Sequence, residues 1–142
     1  MAVSQEVRLL CDEVAKFVRD EVDPRSRWIE ENDAIPDDLM QLARDMGLFG
    51  LTIPEEYGGS GLDLAGKCAI EEVMGRTNYG FATLIGNHTG ISTTGITSLG
   101  NAEQKQRFLP KMASGERSGV TSAMRGSMPM PRASRAISSA SS

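Results

Sequence analysis

The sequence predicts an all-α domain of five helices, followed by the start of one β-strand. Apolar residues recur at helical spacings of three and four in several segments. These segments begin next to helix-capping residues, and most of them end near proline or glycine. With 142 residues, of which 39% are hydrophobic and 24% charged, the chain is long enough for one globular domain.

The first two helices are predicted over residues 4–22 and 36–46. Pro24 is expected to end the first helix, because proline disfavours helical backbone at the residue before it. Pro36 suits the first position of the second helix, and Gly47 stands where a left-handed cap is usual. The apolar stripe of the first helix consists of Val7, Leu10, Cys11, Val14, Phe17 and Val18.

Residues 48–62 are predicted to connect the second helix to the third. Three glycines stand at 58–61, but no Lys-Ser or Lys-Thr pair follows them, as a phosphate-binding loop would require. A tight turn is therefore the favoured interpretation of this stretch. Asp63 is expected to cap a third helix over residues 64–76.

The fourth helix, predicted over residues 79–99, is unusually rich in small residues. Each interior glycine costs about 1 kcal/mol relative to alanine, so burial must offset that cost. Small residues also let another backbone, or a ligand, come close. Its glycines are Gly80, Gly86, Gly90 and Gly95. A fifth helix is predicted over residues 102–113, where Asn101 and Gln104 have the spacing of a capping box, and Gly115 is expected to end it.

The remaining residues divide into two short segments. Residues 118–124 are predicted to open a strand of a second domain, which leaves 1–117 as the helical domain. Residues 125–142 are rich in serine, proline and arginine and have no apolar periodicity, so a disordered tail is expected.

Charge and composition exclude several classes of protein. Residues 1–116 hold all 19 acidic residues and 11 of the 15 basic ones, a net charge of −8, whereas residues 117–142 hold four arginines and no acidic residue. The acidic body argues against nucleic-acid binding. No uncharged apolar run reaches the length of about 18 residues that a membrane span needs. The N-terminal segment has neither an apolar signal core nor the composition of a transit peptide, so a cytoplasmic location is expected.

The titratable side chains do not form a recognisable catalytic or metal site. Cys11 and Cys68 have no close Cys or His neighbour, so both are predicted to be buried small hydrophobes and no metal ligand is assigned. His88 is the only histidine and has no nucleophile paired to it, so a hydrogen-bonded helix residue is favoured over a catalytic one. Glu71 and Glu72 point about 100° apart on a helix and are expected on the solvated surface.

Two stretches resemble the motifs of acyl-CoA dehydrogenase N-terminal domains, and the resemblance covers residues 5–124. The first, after Ile35-Pro36, is Gly47-Leu48-x-Gly50-Leu51-x-Ile53-Pro54-Glu55-Glu56-Tyr57-Gly58-Gly59-Ser60-Gly61. The second is Leu99-Gly100-Asn101-x-Glu103-Gln104-Lys105-Gln106-x-Phe108-Leu109-Pro110, with Gly115-Glu116 after it. The resemblance implies a helical N-terminal domain, which in family members precedes a middle β-domain and a C-terminal four-helix domain.

The resemblance also implies flavin chemistry on acyl-CoA substrates. In family members FAD lies between the middle and C-terminal domains and partly contacts a neighbouring subunit. A glutamate of the C-terminal domain removes the α-proton, while the β-hydride passes to the flavin. The N-terminal domain walls the acyl pocket. Association with dehydrogenase subunits, as a homo- or hetero-oligomer, is implied as well.

The resemblance assigns roles to six residues. Thr83, Leu84, Asn87 and Ile91 of the fourth helix would face the acyl chain, although the small residues of this helix could equally serve helix packing alone. Ser122 and Met124 would keep the first edge of a flavin-facing strand. No catalytic residue is assigned, because the base belongs to a domain that this sequence does not resemble.

The resemblance stops at Met124. Family members continue with Thr-Glu-Pro, whereas this sequence continues with Arg125-Gly126-Ser127 and changes composition. This pattern indicates a truncated or frameshifted product, which is expected to be inactive as this chain alone. The alternatives are a non-catalytic binding module that associates with dehydrogenase subunits, or a fragment of a related flavin monooxygenase or acyl-CoA oxidase.

Overall fold

The computed structural model of the chain describes residues 3–117, and these residues form an α-helical domain. The α-helices are α1 (Gln5–Phe17), α2 (Ser26–Asn32), α3 (Asp37–Asp45), α4 (Leu64–Met74), α5 (Tyr79–Asn87), α6 (Thr93–Leu99) and α7 (Ala102–Ala113). Shorter helical turns lie between these helices. Two of them are π-helical, Val18–Val22 and His88–Ser92, and two are 3-10 turns, Asp23–Arg25 and Glu55–Tyr57. No strand occurs within the described range, which confirms the all-α class. The strand predicted at 118–124 and the tail at 125–142 lie outside it.

The first helical path is longer than predicted. Ser4 caps α1 by accepting a hydrogen bond from the backbone N–H of Val7, at 3.2 Å. The path then runs through the first π-helical turn and the 3-10 turn Asp23–Arg25 directly into α2. The prediction that Pro24 ends the helix is therefore wrong. Proline lies in the first residues of a new helical turn, where its missing N–H has no partner to lose.

The second predicted helix is α3, with its ends close to the predicted ones. Pro36 precedes its first residue instead of occupying it. Gly47 has a φ of 73°, as expected for a left-handed cap. Leu39 and Ala43 are fully buried and join α3 to the main core, in which the rings of Phe17 and Phe81 pack at 5.9 Å between centroids.

The connection from 48 to 62 is apolar and folds back on itself. Its buried side chains are Leu48, Phe49, Leu51 and Ile53. The backbone N–H groups of Ser60, Gly61 and Leu62 donate to the carbonyls of Gly50, Ile53 and Leu51 at 2.8–2.9 Å. Because these buried peptide groups bond one another, an irregular segment can cross the interior without losing hydrogen bonds.

Helix α4 packs against α1 and begins at the predicted cap. The Asp63 carboxylate accepts a hydrogen bond from the N–H of Gly66 at 2.8 Å. The prediction for the cysteines is only partly right. Cys11 is half-buried against the main core, whereas Cys68 is exposed on α4. Burial, together with the charges of Asp12 and Glu72, raises the pKa of the Cys11 thiol.

Helix α7 has the predicted limits, and the capping box is confirmed. Asn101 and Gln104 each accept a hydrogen bond from the other's backbone N–H, at 2.8 and 3.0 Å. Pro110 lies inside the helix without ending it. Gly115 follows at a φ of 74°, and its carbonyl accepts a hydrogen bond from Arg44 of α3 at 3.2 Å. Within the described range, no helix is long and apolar enough to cross a membrane.

Candidate functional site

Residues 79–99 form one continuous helical path, as predicted, but it is not a regular α-helix. The side chain of Asn78 caps α5 by accepting from the N–H of Phe81 at 3.1 Å. The π-helical turn His88–Ser92 then joins α5 to α6. One side of the path is buried in the domain through Phe81, Ile85, His88, Thr89 and Thr93.

The four residues expected to face an acyl chain lie on the opposite side of this path. Thr83, Leu84 and Asn87 are half-buried, and Ile91 is 82% exposed. Spacings of three and four residues place them on one side of the helix. We call this set the candidate acyl face.

The glycines of the path divide into two groups. A Cβ atom on Gly86 would lie 3.7 Å from the carboxylate of Glu71, and one on Gly90 would lie 3.8 Å from the ammonium of Lys67. Both distances are ordinary van der Waals contacts, so α4 packs against this side of the path, but an alanine would also fit at either position. Gly95, in contrast, has no atom within 4 Å of an added Cβ.

The partners of these glycines form an ion pair between neighbouring turns of α4. The Lys67 ammonium donates to the Glu71 carboxylate, and the Lys67 side chain is only 17% exposed. Glu71 is thus half-buried and paired, contrary to the expectation that it lies on the solvated surface, whereas Glu72 is exposed as expected. The pair lies on the side of α4 that faces Gly86 and Gly90.

His88 is fully buried behind the candidate acyl face. Its Nε2 lies 3.0 Å from the carbonyl oxygen of Met112 and donates to it, because a carbonyl can only accept. The imidazole ring packs edge-on against the Phe49 ring, at 5.1 Å between centroids. Nδ1 has no hydrogen-bond partner among the described residues. Burial lowers the pKa of His88, and the backbones of Met112 and Phe49 oppose that shift. The expected hydrogen-bonded helix residue is thus found for one ring nitrogen only.

Threonine hydroxyls satisfy the carbonyls around the π-helical turn. Thr52, from the connection, and Thr93 each donate to the carbonyl of Thr89, at 2.9 and 3.0 Å. The two hydroxyl oxygens lie 3.3 Å apart. Sequence reasoning found neither this turn nor the part played by Thr52. The one available signal was the run of β-branched threonines at 89, 93 and 97, whose hydroxyls bond back to carbonyls four residues earlier.

Among residues 3–117, one cavity lies beside α6 and another lies between α1 and α4. The smaller, of about 280 Å³, adjoins the exposed side of α6, and it is lined by Gly95, Ile96, Leu99, Gly100, Gln104 and Phe108. The larger, of about 470 Å³, lies between the first turns of α1 and α4. Glu6 and Asp63 line it, together with apolar and small residues and no Lys or Arg, so it does not fit the diphosphate of FAD.

The expected flavin contacts Ser122 and Met124 lie outside the described residues. Within the described range no group of three or more potential metal ligands occurs. We therefore assign no cofactor-binding residue within residues 3–117.

Comparison with known sequences identifies the family to which the described helices belong. The family model described as "Acyl-CoA dehydrogenase, N-terminal domain" matches residues 4–116. An acyl-CoA dehydrogenase of Bacillus subtilis is 32% identical over 120 residues, which cover 84% of this chain and 32% of the relative. Isovaleryl-CoA dehydrogenase of Arabidopsis thaliana is 34% identical over 111 residues, covering 77% and 27%. The chain thus spans about a third or less of the length of these relatives.

Solved structures agree with this assignment. The structure of an acyl-CoA dehydrogenase complexed with FAD from Bacillus anthracis superposes with a TM-score of 0.73 at 36% identity, covering 82% of this chain and 20% of that one. An acyl-CoA dehydrogenase from Geobacillus kaustophilus gives 0.73 at 30% identity, covering 80% and 30%. Because the N-terminal model matches residues 4–116 and the fold agrees, the chain belongs to the acyl-CoA dehydrogenase family.

Proposed function

We propose that residues 1–117 serve as the N-terminal helical domain of a flavin-dependent acyl-CoA dehydrogenase, which introduces an α,β double bond into acyl-CoA thioesters. The candidate acyl face forms one wall of the substrate pocket, while FAD supplies the hydride acceptor when a complete enzyme binds it. Residues 3–117 contain no side chain that we assign as the base for the α-proton. We therefore propose that this chain is inactive alone. We also propose that it works in the cytoplasm and associates with dehydrogenase subunits.

The observation that carries this proposal is the two-sided character of the path from α5 to α6. One side is buried by Phe81, Ile85 and His88, whereas Ile91 on the other side is 82% exposed and Gly95 leaves open space. An exposed apolar side chain beside a gap suits the close approach of an alkyl chain. Each methylene buried there contributes about 0.8 kcal/mol to binding.

The first test places the domain in a complete enzyme. In a chimera, residues 1–117 replace the matching segment of the Bacillus subtilis relative, and Ile91→Trp is then introduced. Filling the pocket wall should exclude about two methylenes of a long acyl chain, which costs about 1.6 kcal/mol and raises KM roughly tenfold. Steady-state kinetics on short and long acyl-CoA substrates would show this rise for the long ones only, with kcat little changed.

The matched control is Leu9→Trp, at an apolar residue that is 58% exposed on α1, a helix that packs mainly against α4. It should leave KM unchanged at every chain length. Equal effects of the two substitutions, or an Ile91→Trp effect that ignores chain length, would contradict the proposed wall.

The second test concerns the chain by itself. When the chain of residues 1–142 is purified in the presence of FAD, it should show no absorbance from bound flavin. When it is assayed with acyl-CoA and an artificial electron acceptor, it should show no turnover. Mixing the chain with a relative that lacks its own N-terminal domain separates two outcomes. Restored turnover supports one half of a split enzyme, and a complex without turnover supports the non-catalytic binding module. A yellow, active preparation of the chain alone would refute the claim of inactivity.

A further inference from the structure

The π-helical turn His88–Ser92 changes the direction in which all later residues of the path point. A π-helical turn closes its hydrogen bonds over five residues instead of four, so it holds one extra residue. One residue of an α-helix corresponds to a rotation of about 100°, and the turn removes about that much rotation from everything that follows. Burial agrees with this shift, because Thr93 is buried while Ser92 is only half-buried.

This rotation decides which side chains continue the candidate acyl face into α6. In a regular α-helix, residues four apart differ in direction by about 40°. Leu99 lies three such spacings after Asn87, so it would point about 120° away from Asn87 and toward the core. With the extra residue, the angle between the directions of Asn87 and Leu99 around the helix axis falls to about 20°. Ile91, Gly95 and Leu99 then follow Asn87 along one side, and Leu99 is 88% exposed in agreement.

The alternative register would give this side a different chemistry. In an uninterrupted α-helix, Thr94 and Ser98 would follow Asn87 in place of Gly95 and Leu99. The observed register presents an apolar side with a gap at Gly95, and the alternative would present two hydroxyl groups. The extra residue therefore determines whether this wall suits an alkyl chain.

The hydroxyl of Thr52 is placed to hold the observed register. It donates to the carbonyl of Thr89 inside the turn, at 2.9 Å, and lies 3.3 Å from the hydroxyl of Thr93. Thr93 is 1% exposed, so the two hydroxyls meet on the buried side of the path. The Thr93 hydroxyl also donates to the carbonyl of Thr89, at 3.0 Å, so both side chains hold the same carbonyl.

We propose that Thr52 is a positioning residue that selects the π-helical register and thereby places Ile91, Gly95 and Leu99 on the substrate side of the path. Its role in specificity for unsubstituted alkyl chains rests on the proposed function. Its role in fixing the register concerns the chain alone and stands apart from that function.

The register is tested on the full chain by NMR, without substrate. Medium-range nuclear Overhauser contacts across residues 88–93 distinguish a turn closed over five residues from one closed over four. Thr52→Val keeps the shape of the side chain but removes the donor, so the five-residue contacts should be lost. A soluble paramagnetic probe should then relax the Leu99 methyls less, because they turn toward the core. Thr52→Ser, which keeps the hydroxyl, should retain both signals.

A chain lacking Ser92 is the matched background. It has no extra residue, so a regular α-helix already keeps Gly95 and Leu99 on the substrate side, and Thr52→Val should change nothing there. If Thr52→Val unfolds the full-length chain but not the Ser92-deleted chain, the proposal is supported. Unfolding in both backgrounds, or five-residue contacts that persist in Thr52→Val, overturns it.

The same variants in the chimera address specificity. Thr52→Val should raise KM for long acyl-CoA substrates and leave kcat nearly unchanged, whereas Thr52→Ser should behave as the parent. A register change seen by NMR without any effect on KM would overturn the link to specificity. Failure of the proposed function is recognised separately, since Ile91→Trp would then have no chain-length effect.

Discussion

Gly59→Ala should destabilise the domain by at least about 3 kcal/mol and is expected to prevent stable folding of this small helical unit. A Cβ atom on Gly59 would lie 2.0 Å from the carbonyl oxygen of Ile53 and 2.6 Å from that of Gly50. Both are backbone atoms, and both accept hydrogen bonds that fold the connection onto itself, from Gly61 and Ser60. Relief of the clash therefore breaks those bonds.

Gly95→Ala is the matched control, because nothing lies within 4 Å of the added Cβ and the residue sits in an exposed part of α6. In a helix interior, alanine is more favourable than glycine by about 1 kcal/mol, so this variant should be at least as stable as the parent. Urea denaturation followed by circular dichroism at 222 nm gives both values. Similar midpoints for Gly59→Ala and the parent would show that the connection yields easily.

The second large effect is a loss of stability on acidification through His88. Burial lowers the pKa of this imidazole in the folded state, so below about pH 6.5 the unfolded chain binds more protons than the folded one. Unfolding then becomes easier as the pH falls, by up to about 1.4 kcal/mol per pH unit, until the folded-state pKa is reached. Protonated His88 would have to place a charge between Phe49 and the Met112 carbonyl.

His88→Gln separates this effect from the titration of the many carboxylates. Glutamine keeps an amide donor for the Met112 carbonyl but does not titrate, so its stability should start lower at pH 7.5 and fall less steeply toward pH 5. The free energy of unfolding from urea titrations at several pH values supplies both slopes. Equal slopes in the parent and the variant would show that His88 does not cause the acid sensitivity.

Local capping and turn chemistry made much of the fold predictable. The limits of α7 follow from Asn101 and Gln104, whose hydrogen bonds to each other's backbone involve only neighbouring residues. Asp63 marks the start of α4 for the same reason. The common side of Thr83, Leu84, Asn87 and Ile91 follows from helical spacing. Their contact with an acyl chain stays a prediction.

Features that depend on tertiary contacts could not be predicted. Helix α2 buries only Ile29, so its sequence has no apolar stripe to detect, and Pro24 gave a misleading stop signal. The π-helical turn at His88–Ser92 accepts a hydrogen bond from the hydroxyl of Thr52, which lies 37 residues before Thr89. Cys68 has apolar neighbours in sequence, but its side of α4 is not covered by other described residues.

The bond from Arg44 to the carbonyl of Gly115 has a consequence for protein engineering. It fastens Gly115, which follows α7, to α3, so residue 117 lies close to α3. A peptide, fluorophore or partner protein joined there by a short linker would have an effective concentration of about millimolar near α3. Even feeble contacts with α3 would then be populated, which makes this junction a favourable point for tethered screening.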